Sequence, residues 1–162
     1  MKTRQYTRVD TIRKYVDAML LRNKDDRDRR CGYVHLYGVG VLAALIAMKR
    51  GHDKKYAELA EIAGILHDYV SYERPDTPEH AHVCAPIIRG ILEETEEFSS
   101  VEIDMITTAV YNHSDKSRRD SEFDELLKDA DVMHHWLRNP MEDFNYCEPR
   151  TAELIAEFGL TI

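Results

Sequence analysis

A histidine and an aspartate stand side by side at His67-Asp68, at the end of an apolar run. An imidazole offers a nitrogen lone pair, and a carboxylate offers two oxygens that can bridge two ions. One such pair is common on protein surfaces and proves nothing alone. Its weight comes from four other residues. His35 lies 32 residues before His67, His80 lies 13 after it, His113 a further 33, and Asp131 a further 18. Each falls at or near an end, or on one face, of a predicted helix.

Those helices follow from the apolar spacing. Strand signals are almost absent, and helical periodicity runs nearly throughout. Val9, Ile12, Val16, Met19 and Leu20 make the stripe of a helix over 8–21. The charge run 23–30 reads as a solvated loop. A second helix spans 33–50, with His35 in its first turn and Gly51 as its stop. It is apolar on several faces and should be central. Asp53 caps a third helix over 54–71, which carries His67 and Asp68 in its last turns. Two antiparallel helices on a short loop bring the start of one beside the end of the other, so His35 can reach His67 and Asp68.

Thr77-Pro78 opens the next helix, which carries His80 and His82 and should kink or restart at Pro86. Ser99 or Ser100 caps a helix over 101–112 that ends at His113. Lys116, Arg118 and Arg119 follow in a polar loop. Ser121 caps a helix over 122–137 with Asp129, Asp131, His134 and His135. Met141 to Glu148 reads as irregular, and a short helix spans 150–158. The expected architecture is all-α: one domain over residues 1–162, with about six to seven helices and a site core at about 33–137.

Composition narrows the partners. The 22 Lys+Arg against 30 Asp+Glu give a net charge of −8. That disfavours nucleic-acid polymers and anionic membranes. Cys31, Cys84 and Cys147 form no Cys-x-x-Cys pair, which fits a reducing interior. The first ten residues lack a signal-peptide core, and the apolar run 39–48 is too short to span a bilayer. The expectation is a soluble cytoplasmic protein, with a homodimer left open.

His35, then His67-Asp68, then Asp131 within Lys-Asp-Ala-Asp, on an all-helical chain, resembles the HD-domain superfamily of metal-dependent phosphohydrolases. His80 and His113 match the extra histidines of its dinuclear, six-ligand branch. The resemblance implies that His35, His67, Asp68 and Asp131 hold one ion. His80, His113 and the far oxygen of Asp68 would hold another. Imidazole and carboxylate suit two divalent ions of iron, manganese, zinc or nickel. The implied reaction is attack by metal-bound hydroxide on a phosphomonoester or nucleotide phosphoanhydride, with Asp68 at its centre. His82 or Lys116 would protonate the leaving oxygen or steady the phosphate. Many dinuclear members carry Lys three residues after the Asp. Here that position is Ser71, so Lys116, Arg118 and Arg119 would have to meet the small phosphorylated substrate. Two alternatives remain at this point: an HD-type mixed-valent di-iron oxygenase, or a non-catalytic metal- or nucleotide-binding regulatory module. His80 against His82, and Asp129 against Asp131, are also open. His134 and His135 share the face of Asp131, either behind the ligands or in packing.

Overall fold

A computed structural model describes residues 6–138 and 148–160. Cys147 and most of the stretch 141–148 lie outside them. Among the described residues there are eight helices and no strand: α1 (Arg8–Arg22), α2 (Asp26–Lys49), α3 (Lys54–Leu66), α4 (Tyr69–Glu73), α5 (His80–Glu94), α6 (Ser100–Asn112), α7 (Glu122–Arg138) and α8 (Glu148–Phe158). The all-α expectation holds.

Local chemistry accounts for most boundaries. Thr7 and Asp10 form a reciprocal capping box on α1, and Ser99 and Glu102 form another on α6. The Asp53 carboxylate accepts from the Tyr56 amide at 2.8 Å to open α3. The expected stripe of α1 is buried in full.

Three boundaries correct the sequence reading. Most of the charge run is not a loop: residues 26–30 are the first turns of α2. Asp25 caps it by accepting from the Asp28 amide at 2.9 Å. Acidic side chains in a first turn also suit the positive end of the helix dipole. His35 therefore sits mid-helix. The third helix does not continue to 71: it stops at Leu66, and α4 begins after Asp68. Nor does Thr77 open α5. Its hydroxyl donates to the Arg74 carbonyl at 2.6 Å, and α5 starts at His80 after Glu79, whose φ is 49°. The helix then passes through Pro86.

α2 lies between α3 and α7 at the middle of the fold. By length and composition it is apolar enough to cross a membrane. Its inner face (Leu36, Val39, Ala43, Ile46) is buried, whereas Val34, Val41, Leu45 and Met48 are exposed, so it is central on one side only.

Two glycines fix the α2–α3 crossing. A Cβ on Gly64 would stand 2.6 Å from the Gly40 Cα and 2.7 Å from its amide nitrogen. Backbone meets backbone there, so no side chain can yield. His35 is five residues before Gly40 and His67 three after Gly64. In antiparallel helices both fall on the same side of the crossing. Gly64→Ala is expected to lower stability by at least about 1–3 kcal/mol through overpacking. Urea unfolding measures it, and an unchanged midpoint would mean the crossing can open freely.

Candidate metal centre

The break between α3 and α4 is what lets His67 and Asp68 work together. Neighbours on one helix diverge by about 100° around its axis. Here His67 ends α3 in helical geometry, and Asp68 turns away with φ −111° and ψ 22°. The turn brings both side chains to one place. His67 is fully buried, and its Nε2 lies 3.5 Å from Asp68 Oδ2.

His35 comes from α2 with its Nε2 3.2 Å from His67 Nε2 and 3.6 Å from Asp68 Oδ2. Asp131 comes from α7. Its Oδ1 is 3.4 Å from His35 Nε2 and 3.7 Å from His67 Nε2. On the other side, Asp68 Oδ1 lies 3.1 Å from His80 Nε2 and 3.4 Å from His113 Nε2. Asp68 thus splits its two oxygens between two pairs of histidines. Among the described residues, two groups have ligand atoms mutually close enough for one ion: His35, His67 and Asp131, and His67, Asp68 and His113.

The outer ring nitrogens are taken. His67 Nδ1 meets the Gly64 carbonyl at 2.7 Å, and His113 Nδ1 meets the Val110 carbonyl at 2.7 Å. A carbonyl only accepts, so these nitrogens carry the protons and both Nε2 lone pairs point inward. Such outer partners are the usual means of presenting a histidine to a metal. A further mark is Asp131 Oδ1, which is buried and accepts no hydrogen bond. A buried carboxylate oxygen without a partner is costly, and a cation beside it removes that cost. The donor set therefore fits hard-to-borderline divalent ions held by nitrogen and oxygen.

The electrostatics agree. Burial pushes the Asp68 carboxyl up, but His67, then His113, His35 and His80, outweigh it and hold it well below the carboxylate range. Asp131 is likewise pushed up by burial and held well below it by Lys116, His67 and His35. Burial lowers His67, yet Asp68 and Asp131 overcome that and raise it. Burial lowers His113 more than Asp68 can restore. Two ionised carboxylates, Asp68 and Asp131, thus face the histidines, with the Lys116 ammonium against Asp131.

The structure also sorts the remaining candidates. Lys116 is 6% exposed, and its Nζ donates to Asp131 Oδ2 at 2.6 Å and to the His113 carbonyl at 2.5 Å. It stands at the cluster. Arg118 pairs with Asp120, and Arg119 with Glu125 and Glu153. The three expected cations thus narrow to one. His82 is corrected too. It stacks on Tyr111 with ring centroids 4.0 Å apart, and its nearest carboxylate is Glu79 at 3.9 Å. Two residues along a helix rotate a side chain by about 200°, so His80 and His82 cannot both face Asp68. Asp129 is bound by Arg50 at 2.8 Å and by Arg150, which ties α7 to α8. Asp131, not Asp129, is the aspartate of the cluster. His52, in the loop between α2 and α3, stacks on Tyr56 with ring centroids 3.9 Å apart.

Two residues behind the cluster were underweighted from sequence. His134 Nδ1 is 3.1 Å from His35 Nδ1, and His135 Nε2 is 3.5 Å from Asp131 Oδ1. Their spacing from Asp131, three and four residues on one helix face, was the available signal.

A family model described as HD domain matches residues 32–136, which is well over half of the chain and contains all six cluster residues. The chain belongs to the HD domain family. No curated protein and no solved structure gave a match.

Proposed function

We propose that this protein is a metal-dependent phosphohydrolase acting on a phosphomonoester or a nucleotide phosphoanhydride, with two divalent ions as cofactors. The observation that carries this reading is the division of Asp68, with Oδ2 toward His35 and His67 and Oδ1 toward His80 and His113. A carboxylate so placed could serve two ions at once. A site needing one structural ion would have no use for it. His35, His67, Asp68 and Asp131 would hold the first ion, and His80, His113 and Asp68 the second. When bound, such a pair supplies Lewis acidity that ionises a water near neutral pH and offsets charge on a phosphoryl group.

The chain supplies the rest. The Gly64 and Val110 carbonyls keep His67 and His113 in the tautomer with free Nε2. Ser71, at the family's lysine position, donates its hydroxyl to Asp68 Oδ1 at 3.2 Å and so steadies the bridge rather than the substrate. Lys116 takes over the cationic part. Two of its three ammonium protons go to Asp131 and His113, and the third is left for a phosphate oxygen. His80 sits half-exposed at the mouth, where substrate would enter.

The test reconstitutes the metal-free protein separately with manganese, iron, zinc and nickel. Phosphate release is then followed over a panel of nucleotides and phosphate esters. No turnover with any of the four would end this reading.

Acid should weaken the centre. His67 is raised above its ordinary value, so in the metal-free fold its proton contributes stability below that value, and this is lost as pH rises through the higher folded one. An incoming ion must displace that proton. Zinc affinity should therefore climb between about pH 6 and about pH 8, by up to about tenfold per unit for each proton displaced. Competition titrations at the two pH values check it, and equal affinities would contradict histidine ligation.

A further inference from the structure

His35 is gripped at both ring nitrogens by one helix. Asp131 Oδ1 stands 3.4 Å from its Nε2, and His134, one turn later on α7, places Nδ1 3.1 Å from its Nδ1. The two rings meet edge to face with centroids 5.0 Å apart. His134 is buried. Room for it comes from Gly38 on α2, where a Cβ would stand 2.3 Å from His134 Nε2 and 2.4 Å from its Cδ2. Any larger residue at 38 would push the ring off His35.

The proton on this nitrogen–nitrogen contact has only one arrangement compatible with a metal at His35 Nε2. That atom must offer a lone pair, so the His35 proton sits on Nδ1. Nδ1 then donates, and His134 Nδ1 must accept. A neutral imidazole that accepts at Nδ1 carries its own proton on Nε2. That atom stands against Gly38, and His134 lines the groove formed with Tyr37, Val41, Leu42 and Leu137. His67 and His113 receive the same service from backbone carbonyls, which cannot do otherwise. Of these three buried histidines, His35 is the one that meets a side chain instead.

We propose that His134 is a positioning residue that sets the tautomer and ring angle of His35, with Gly38 as the space that admits it. The proposal rests on the metal-centre reading above. Losing an outer hydrogen-bond partner of a metal-binding histidine weakens the metal by about tenfold to a hundredfold.

Zinc is the probe, and its affinity for the first site is read by competition with a chromophoric chelator. His134→Phe keeps the ring volume and removes the acceptor. His134→Asn restores an acceptor, because its Oδ1 sits one bond from Cγ, as Nδ1 does. Zinc affinity should fall by about tenfold or more in His134→Phe and stay within about threefold of wild type in His134→Asn. Wild-type affinity in His134→Phe overturns the proposal, and so does an equal loss in both variants. A measurement on the unaltered protein guards against misfolded variants. Long-range proton–nitrogen NMR of the zinc form should show His35 protonated at Nδ1 and His134 at Nε2. A proton on His134 Nδ1 overturns the role while leaving the metal centre intact. Failure of the wild type to bind zinc overturns both together.

Discussion

In the Asp68→Ala protein, phosphate release falls by a factor on the order of 10³ or more, and neither ion is retained in stoichiometric amount. Both halves of the cluster meet on this side chain, through Oδ2 on one side and Oδ1 on the other. In the proposed centre, removing it would take a ligand from each ion and one of the cluster's two carboxylates. Asp68→Asn keeps the shape and loses the charge, so it separates electrostatics from packing and should be nearly as inactive. His52→Ala is the control, since His52 stacks on Tyr56 outside the cluster. Elemental analysis beside the phosphate assay decides the matter. Full metal content in Asp68→Ala would refute the bridge.

His80→Ala loses the weaker ion and most activity, on the order of 10²-fold, while keeping the first ion and the fold. In the proposed centre the second ion would have three protein ligands against four, so it should bind less tightly and leave positions open for water and phosphate. His80 is partly exposed at the first residue of α5, and its truncation leaves little cavity. His113 is buried, so His113→Gln, which keeps volume, is the better probe on α6. Metal titration followed by calorimetry should show two classes of site in wild type and one in either variant. If His82→Ala behaves this way and His80→Ala does not, the second ion sits against His82. If neither loses an ion, the centre is mononuclear.

Much of this arrangement was legible before any coordinates. Apolar stripes and caps placed most helices within a few residues, because capping residues such as Asp53 and Ser99 act locally. What escaped had nonlocal or geometric causes. The charge run 23–30 looked solvated because its acids and bases balance, yet Asp25 was an adequate cap in plain view. The break at His67-Asp68 leaves no composition signal: a turn that aims two neighbours inward is set by what they converge on. His80 and His82 could not be separated until the left-handed Glu79 fixed where α5 begins. The link from His134 to His35 crosses 99 residues and depends on the missing side chain of Gly38.

The donors of the first ion are spread over the chain, from His35 to Asp131, a span of 131 − 35 = 96 residues. Helices built from neighbouring residues can form early, but pairings this remote wait on loop closure. A chain in which α2, the turn after α3 and α7 have not yet met offers an incomplete donor set, so an ion held by the full set would favour the folded state. At a hundredfold excess over its Kd, that adds about 2.7 kcal/mol to stability. Since a change of about 1–2 kcal/mol is enough to alter cellular abundance several-fold, metal supply would set how long each molecule survives as well as whether it works.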